Sequence, residues 1–138
     1  MEKIVVSAAV DRLEEVQNFV EALLEDADCP MREQLQINIA VEEIFVNIAS
    51  YAYPDGGGEA EVSVEIAPDP RRAVICFRDG GIPFDPLQKE DADTSPEALE
   101  RRIGGLGILM VKKSMDAVSY ERRDGKNVLT IEKNLPEA

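Results

Sequence analysis

Three short stretches of this sequence carry residue types that could do chemistry together. The first is Glu42-Glu43-Ile44-Phe45-Val46-Asn47. On a helix, residues four apart project from the same side, so Glu43 and Asn47 form a pair. A carboxamide oxygen is a fair ligand for Mg²⁺ when phosphates and water complete the shell. A neighbouring carboxylate can orient a hydroxyl or water and take its proton. The same pair also fits a solvated helix face or an internal hydrogen bond. Glu42 points elsewhere and reads as a surface or capping charge.

The second stretch is Asp79-Gly80-Gly81-Ile82-Pro83-Phe84-Asp85-Pro86, directly after an apolar run. Loops at strand ends are frequent ligand sites. An ionised Asp79 can accept a hydrogen bond from an exocyclic amine such as that of adenine. It would repel the carbonyl that guanine presents there, and an unpaired buried polar group costs about 1–3 kcal/mol. Gly81 would leave room for the ring. Asp-Gly is also an ordinary turn pair, and Phe84 can either pack under a ligand or plug the core. The third stretch is Gly104-Gly105-Leu106-Gly107 ahead of a short apolar helix. Glycines at a helix N-terminus let backbone N–H groups approach phosphate oxygens, and they also permit tight helix–sheet packing. In this order the three stretches describe a pocket for a nucleotide and a metal ion. ATP is the ligand that fits, although the sequence has no Gly-x-x-x-x-Gly-Lys-Ser/Thr loop.

The elements that must position these residues follow from periodicity. Lys3 to Ala8 reads as a strand near a sheet edge. Asp11 to about Asp26 reads as an amphipathic helix with Leu13, Val16, Val20, Leu23 and Leu24 on one stripe. Cys29-Pro30 breaks the chain before a long second helix, Met31 to Tyr53. Its stripes Ile37/Val41/Ile44/Ile48 and Leu35/Ile39/Val46 predict burial on several sides, with Gln36, Glu43 and Asn47 on a remaining stripe. Glu59 to Ala67 alternates as a strand with one wet face, carrying Glu61, Ser63 and Glu65. Ala73 to Phe77 reads as a more fully buried strand, pairing with it as an antiparallel hairpin, and Asp79 to Pro86 as a loop. Leu87 to Ile103 is polar and reads as a mobile lid. A helix from about Leu106 to Met115 and a closing hairpin, Val118–Arg122 and Asn127–Lys133 around Asp124-Gly125, complete the chain.

Bulk properties narrow the class. The sequence of 138 residues, 44% hydrophobic and 31% charged, is that of one ordinary globular domain, 1–138. The net charge of -13 disfavours direct nucleic-acid binding. A nucleotide would then need local positive potential from helix N-termini and Mg²⁺. Cys29 and Cys76 match no zinc or redox spacing, and Cys76 reads as a buried thiol. The chain has no histidine, which excludes a Ser-His-Asp triad and a phosphoryl-accepting His on it. Without a signal peptide or long apolar segment, a cytoplasmic protein off the membrane is expected.

Taken together, the motifs resemble the Bergerat-fold ATPases shared by gyrase, sensor histidine kinases and mismatch-repair proteins. Glu43 to Asn47 looks like their N box, Asp79-x-Gly81 like the first glycine box and Gly104 to Gly107 like the second. The wording Asp-Gly-Gly-Ile-Pro-Phe-Asp-Pro and Gly-Gly-Leu-Gly-Ile-x-x-Val is similar to that of single-domain anti-sigma factors that are serine-protein kinases. The resemblance covers nearly the whole chain. It implies an α+β two-layer sandwich, with a mixed, mostly antiparallel sheet covered on one face by about three helices. It implies Glu43 as general base, Asn47 as Mg²⁺ ligand, and Asp79, Gly81 and Phe84 around adenine. Gly104, Gly105, Leu106 and Gly107 would hold the phosphates. It further implies a sigma factor and an anti-anti-sigma protein as alternating partners, a serine of the latter as substrate, and a homodimer. Many relatives carry His where Tyr51 stands, and larger ones often have Gly at Pro83. An ATP-responsive module that sequesters a partner without phosphate transfer is the alternative function. A scaffold that uses the fold without nucleotide is the plainest one.

Overall fold

The computed structural model describes residues 1–88 and 105–136. Five strands, β1 (Glu2–Ser7), β2 (Glu59–Ala67), β3 (Arg72–Asp79), β4 (Ala117–Arg123) and β5 (Lys126–Asn134), form one sheet in the order β1-β2-β3-β5-β4. Among the described residues three helices accompany it: α1 (Leu13–Asp26), α2 (Met31–Tyr51) and α3 (Gly105–Ser114). All four strand pairings are antiparallel, so the expected mostly antiparallel sheet is wholly so among the described residues. The expected lid from Leu87 to Ile103 lies outside the described residues beyond Gln88, and so does Gly104. Leu87 itself sits in a 3₁₀ turn, Pro86–Gln88.

The core follows from alternation. Across the sheet, Ile4, Val62, Phe77 and Leu129 share one register row, and Val64, Ile75 and Ile131 the next. Their side chains meet Val16, Val20 and Leu24 of α1, Ile37, Val41, Ile44 and Phe45 of α2, and Val111 of α3. A half-buried antiparallel sheet of this kind leaves its other face to water. There Glu61 sits between Lys3 (3.7 Å) and Arg78 (3.0 Å), and Arg72 bonds Glu132 at 2.7 Å.

Several expectations are corrected. β3 alternates like β2 instead of being buried throughout, because Ala73, Ile75 and Phe77 take the core face. Cys76 is therefore half-buried on the helix-free face, with the Thr130 hydroxyl 3.7 Å from its sulfur. Ser63 is only 2% exposed, since the larger residues around this small side chain on an inner strand cover it. On α2 the Leu35/Ile39 stripe is largely exposed, at 56% and 48%, because the sheet, α1 and α3 contact the other sides. The first helix opens with a 3₁₀ turn, Val10–Arg12. α2 stops at Tyr51, two residues early. The Ala52 carbonyl there accepts the Ile82 N–H (2.9 Å), and the Tyr53 hydroxyl donates to the Glu59 carbonyl (2.6 Å). The closing hairpin turns through Asp124 and Gly125, both at positive φ, as a two-residue primed turn requires.

Candidate functional site

Asp79 is the last residue of β3 rather than the first of a loop, paired with Asn127 of β5. It sits in the core-facing row and is 5% exposed. Its Oδ1 accepts the Gly81 N–H at 2.9 Å, closing an Asx turn. The same oxygen accepts Asn127 Nδ2 at 2.9 Å. No side chain or backbone group among the described residues donates to Oδ2, which leaves that oxygen as the acceptor available to a ligand. Gly81 lies against the end of α2, where an added Cβ would overlap the Ala52 carbonyl. Glycine is thus required at this position for close backbone approach.

Asp79 and Asn127 line a cavity with apolar walls from Ile44, Ile48, Phe77 and Leu129. Few polar groups converging in an apolar pocket is the usual make-up of a small-molecule site. The cavity encloses about 30 Å³, room for a water molecule and much less than a purine. Phe84 and Pro86 form one of its walls. Phe84 also packs on Tyr51, with ring centroids 5.8 Å apart. Admitting a base therefore requires the cavity to widen.

Asn47 lines that cavity and also an adjoining groove of about 540 Å³. The groove is bordered by Glu43, Tyr51 and Gly107, with Val10, Leu13 and Met110 at its apolar rim. Asn47 Nδ2 donates to the Glu43 backbone carbonyl at 2.9 Å, one turn back along α2. Its Oδ1 is the atom left for a cation. The described residues contain no cluster of three or more His, Cys, Asp or Glu able to hold a metal. One protein oxygen beside phosphates and water is the donor set that Mg²⁺ commonly uses, so Asn47 fits such an ion.

Glu43 is half-buried on the same side of α2. Burial is the main cause that raises its carboxyl above the ordinary glutamate value, and the Glu42 charge adds to it. The carboxylate rests against Gly107, where an added Cβ would overlap it. Gly105, Leu106 and Gly107 form the first turn of α3. An anion-favouring helix end is thus brought beside Glu43 and Asn47.

Sequence reading missed the residues that hold the first glycine loop. Asn127 Nδ2 also donates to the Ile82 carbonyl (2.8 Å), and its Oδ1 accepts the Phe84 N–H (3.3 Å) and the Tyr120 hydroxyl. Arg122 donates to the Gly81 carbonyl at 2.9 Å, and the Gly80 N–H donates to the Tyr53 hydroxyl at 2.7 Å. No local signal marks Asn127, because it is the pairing of β5 with the distant β3 that sets it opposite Asp79.

A family model of the histidine kinase-like ATPase domain matches residues 6–133. The chain is 28% identical over 100 residues to the serine/threonine-protein kinase BtrW of Bordetella bronchiseptica, covering 72% of this chain and 70% of that one. A structure of the RsbU and RsbW domains of Rv1364c from Mycobacterium tuberculosis superposes with a TM-score of 0.66 at 12% identity. It covers all of this chain, which spans about a third (34%) of that longer one. The histidine kinase domain of a blue-light activated histidine kinase from Erythrobacter litoralis gives 0.56 at 18% identity, over 77% of this chain and 46% of that one. These likenesses at low identity show the fold. With the family match running over nearly its whole length, the chain belongs to the histidine kinase-like ATPase domain family.

Proposed function

We propose that this protein is an ATP-dependent serine-protein kinase and anti-sigma regulator of the cytoplasm, acting on a serine of an anti-anti-sigma protein. The observation that carries the reading is two neighbouring spaces that share Asn47: an inner cavity lined by Asp79 and an outer groove lined by Glu43 and Gly107. It is supported by the family match and by the similarity to BtrW, a protein named as a serine/threonine kinase.

Bound Mg·ATP would supply the phosphoryl group and the cation that neutralises its developing charge. Asp79 would accept a hydrogen bond from the exocyclic amine of the base, and Gly81 lets the loop lie against the end of α2 beside it. Phe84 covers the base from the loop side. Asn47 Oδ1 holds the metal. Gly105, Leu106 and Gly107 would offer backbone N–H groups to the phosphates at the positive end of α3, and Gly104 is proposed with them from its place in the second glycine box. Glu43 takes the proton of the incoming serine hydroxyl at its carboxylate, and its raised affinity for protons suits it to act as base near neutrality.

The test is transfer of labelled phosphate from Mg·ATP to purified anti-anti-sigma proteins of the same organism, with wild type and Glu43→Gln. Transfer that Glu43→Gln abolishes while ATP still raises the melting temperature supports the reading. Stabilisation by ATP without transfer to any of them supports partner sequestration instead. No stabilisation at millimolar ATP would sink both.

A further inference from the structure

We infer that Asn127, itself fixed by Tyr120, is a positioning residue that holds the Asp79 carboxylate in one orientation toward the base and so sharpens selectivity for a 6-aminopurine. The inference rests on the ATP reading above and goes beyond it to a residue outside the three sequence boxes. The side chain of Asn127 is 5% exposed, so each of its polar atoms needs a partner inside the protein. Both capacities are spent. Nδ2 donates to Asp79 Oδ1 (2.9 Å) and to the Ile82 carbonyl (2.8 Å). Oδ1 accepts the Phe84 N–H (3.3 Å) and the Tyr120 hydroxyl.

An asparagine amide can turn over, exchanging its oxygen and nitrogen. Here the reversed amide would set its oxygen against the Asp79 carboxylate and the Ile82 carbonyl, and its NH₂ against the Phe84 N–H. The phenol of Tyr120 adds a second donor on the oxygen side, so the amide has one orientation. With Asn127 and Gly81 both donating to one oxygen, the carboxylate cannot rotate out of this plane without losing two hydrogen bonds to a charged group. The other oxygen is thereby left as an acceptor held in one place. It attracts a 6-amino group and opposes a 6-carbonyl. Asn127 touches no ligand in this scheme. It acts through Asp79 and through the loop it ties down at Ile82 and Phe84.

The test compares affinities for Mg·ATP and Mg·ITP, which share ribose and triphosphate and differ at C6. They are measured calorimetrically on the full chain for wild type, Asn127→Ala and Tyr120→Phe. Asn127→Ala should lower the ATP-over-ITP preference by roughly tenfold or more, the worth of a hydrogen bond to a charged group. Tyr120→Phe, which keeps the ring, should lower it less and in the same direction. A merely structural residue would weaken both nucleotides equally, and that result in Asn127→Ala would overturn the inference. If Asn127→Ala does not fold, Tyr120→Phe decides: a lowered preference upholds the inference and an unchanged one overturns it. A wild type that binds both nucleotides equally also overturns it, while nucleotide binding stands. A wild type that binds neither removes the ATP reading itself and this inference with it.

Discussion

The carboxylate of Glu43 on α2 lies against the backbone of Gly107 in the first turn of α3, close enough that no side chain fits between them. This contact couples the proposed base to the proposed phosphate-binding turn. A methyl group at residue 107 would push the carboxylate aside, and the carboxylate can move because it is the end of a flexible side chain. Gly107→Ala should therefore fold normally and bind ATP, yet transfer phosphate on the order of 100-fold more slowly, as misplacement of a catalytic group by about 1 Å does. Single-turnover transfer with bound ATP checks this, and an undiminished rate would separate Gly107 from the chemistry.

Glu43 also predicts a pH dependence. Burial raises its carboxyl in the folded state, so the native protein holds that proton to higher pH than the unfolded chain does. The linked stability is present in full below the ordinary glutamate range and is lost as pH rises through the raised value. Glu43→Gln removes the term. The variant should melt with wild type near about pH 4 and above it near about pH 8. Melting curves across that range give the answer, and a wild type that gains on the variant as pH rises contradicts it.

Asp79→Asn leaves a carboxamide in place of the acceptor. Wild type at a hundredfold excess of ATP over Kd should gain about 2.7 kcal/mol. The variant should gain little, because an amide can present an N–H where the base needs an acceptor. Thermal shifts with Mg·ATP and Mg·GTP read this directly. Equal shifts in wild type and variant would move the base elsewhere.

Two neighbouring glycines should respond differently. At Gly81 an alanine methyl meets the backbone carbonyl of Ala52, which cannot yield without moving the end of α2. Gly81→Ala should cost about 1–3 kcal/mol of stability. At Gly80 an added methyl meets, among the described residues beyond its chain neighbours, the Tyr53 hydroxyl at 3.7 Å, an ordinary contact. Gly80→Ala should stay within about 0.5 kcal/mol of wild type. Urea denaturation of both variants provides the comparison.

Most of the fold was legible because its signals are local. The alternation of β2, the stripe of Val16, Val20 and Leu24 on α1, the break at Cys29-Pro30 and the turn at Asp124-Gly125 each declare an element from neighbouring residues. The i, i+4 pair Glu43 and Asn47 was legible for the same reason. What escaped depends on partners distant in sequence. Leu35 and Ile39 are as apolar as Ile37 and Val41, and only the packing of the sheet, α1 and α3 around α2 decides which stripe is covered. Cys76 and Ser63 were misjudged because strand parity assigns the face, while burial on the helix-free face depends on the size of neighbours in adjacent strands. Asn127 looked like an ordinary residue after a turn, and its meaning comes from the register that sets it opposite Asp79.

That register has a consequence for how the protein matures. Asp79 and Asn127 are 48 residues apart, and the strand carrying Asn127 ends at Asn134. During synthesis, at roughly 5–20 residues per second, α2 and β3 are made seconds before the residue that orders their carboxylate. A nascent chain bearing Glu43, Asn47 and Asp79 but not yet β5 would hold the parts of a nucleotide site without its alignment. Competence to discriminate among nucleotides would arrive only with the β4–β5 hairpin, after the strand and helix that carry Asp79, Glu43 and Asn47 have been made.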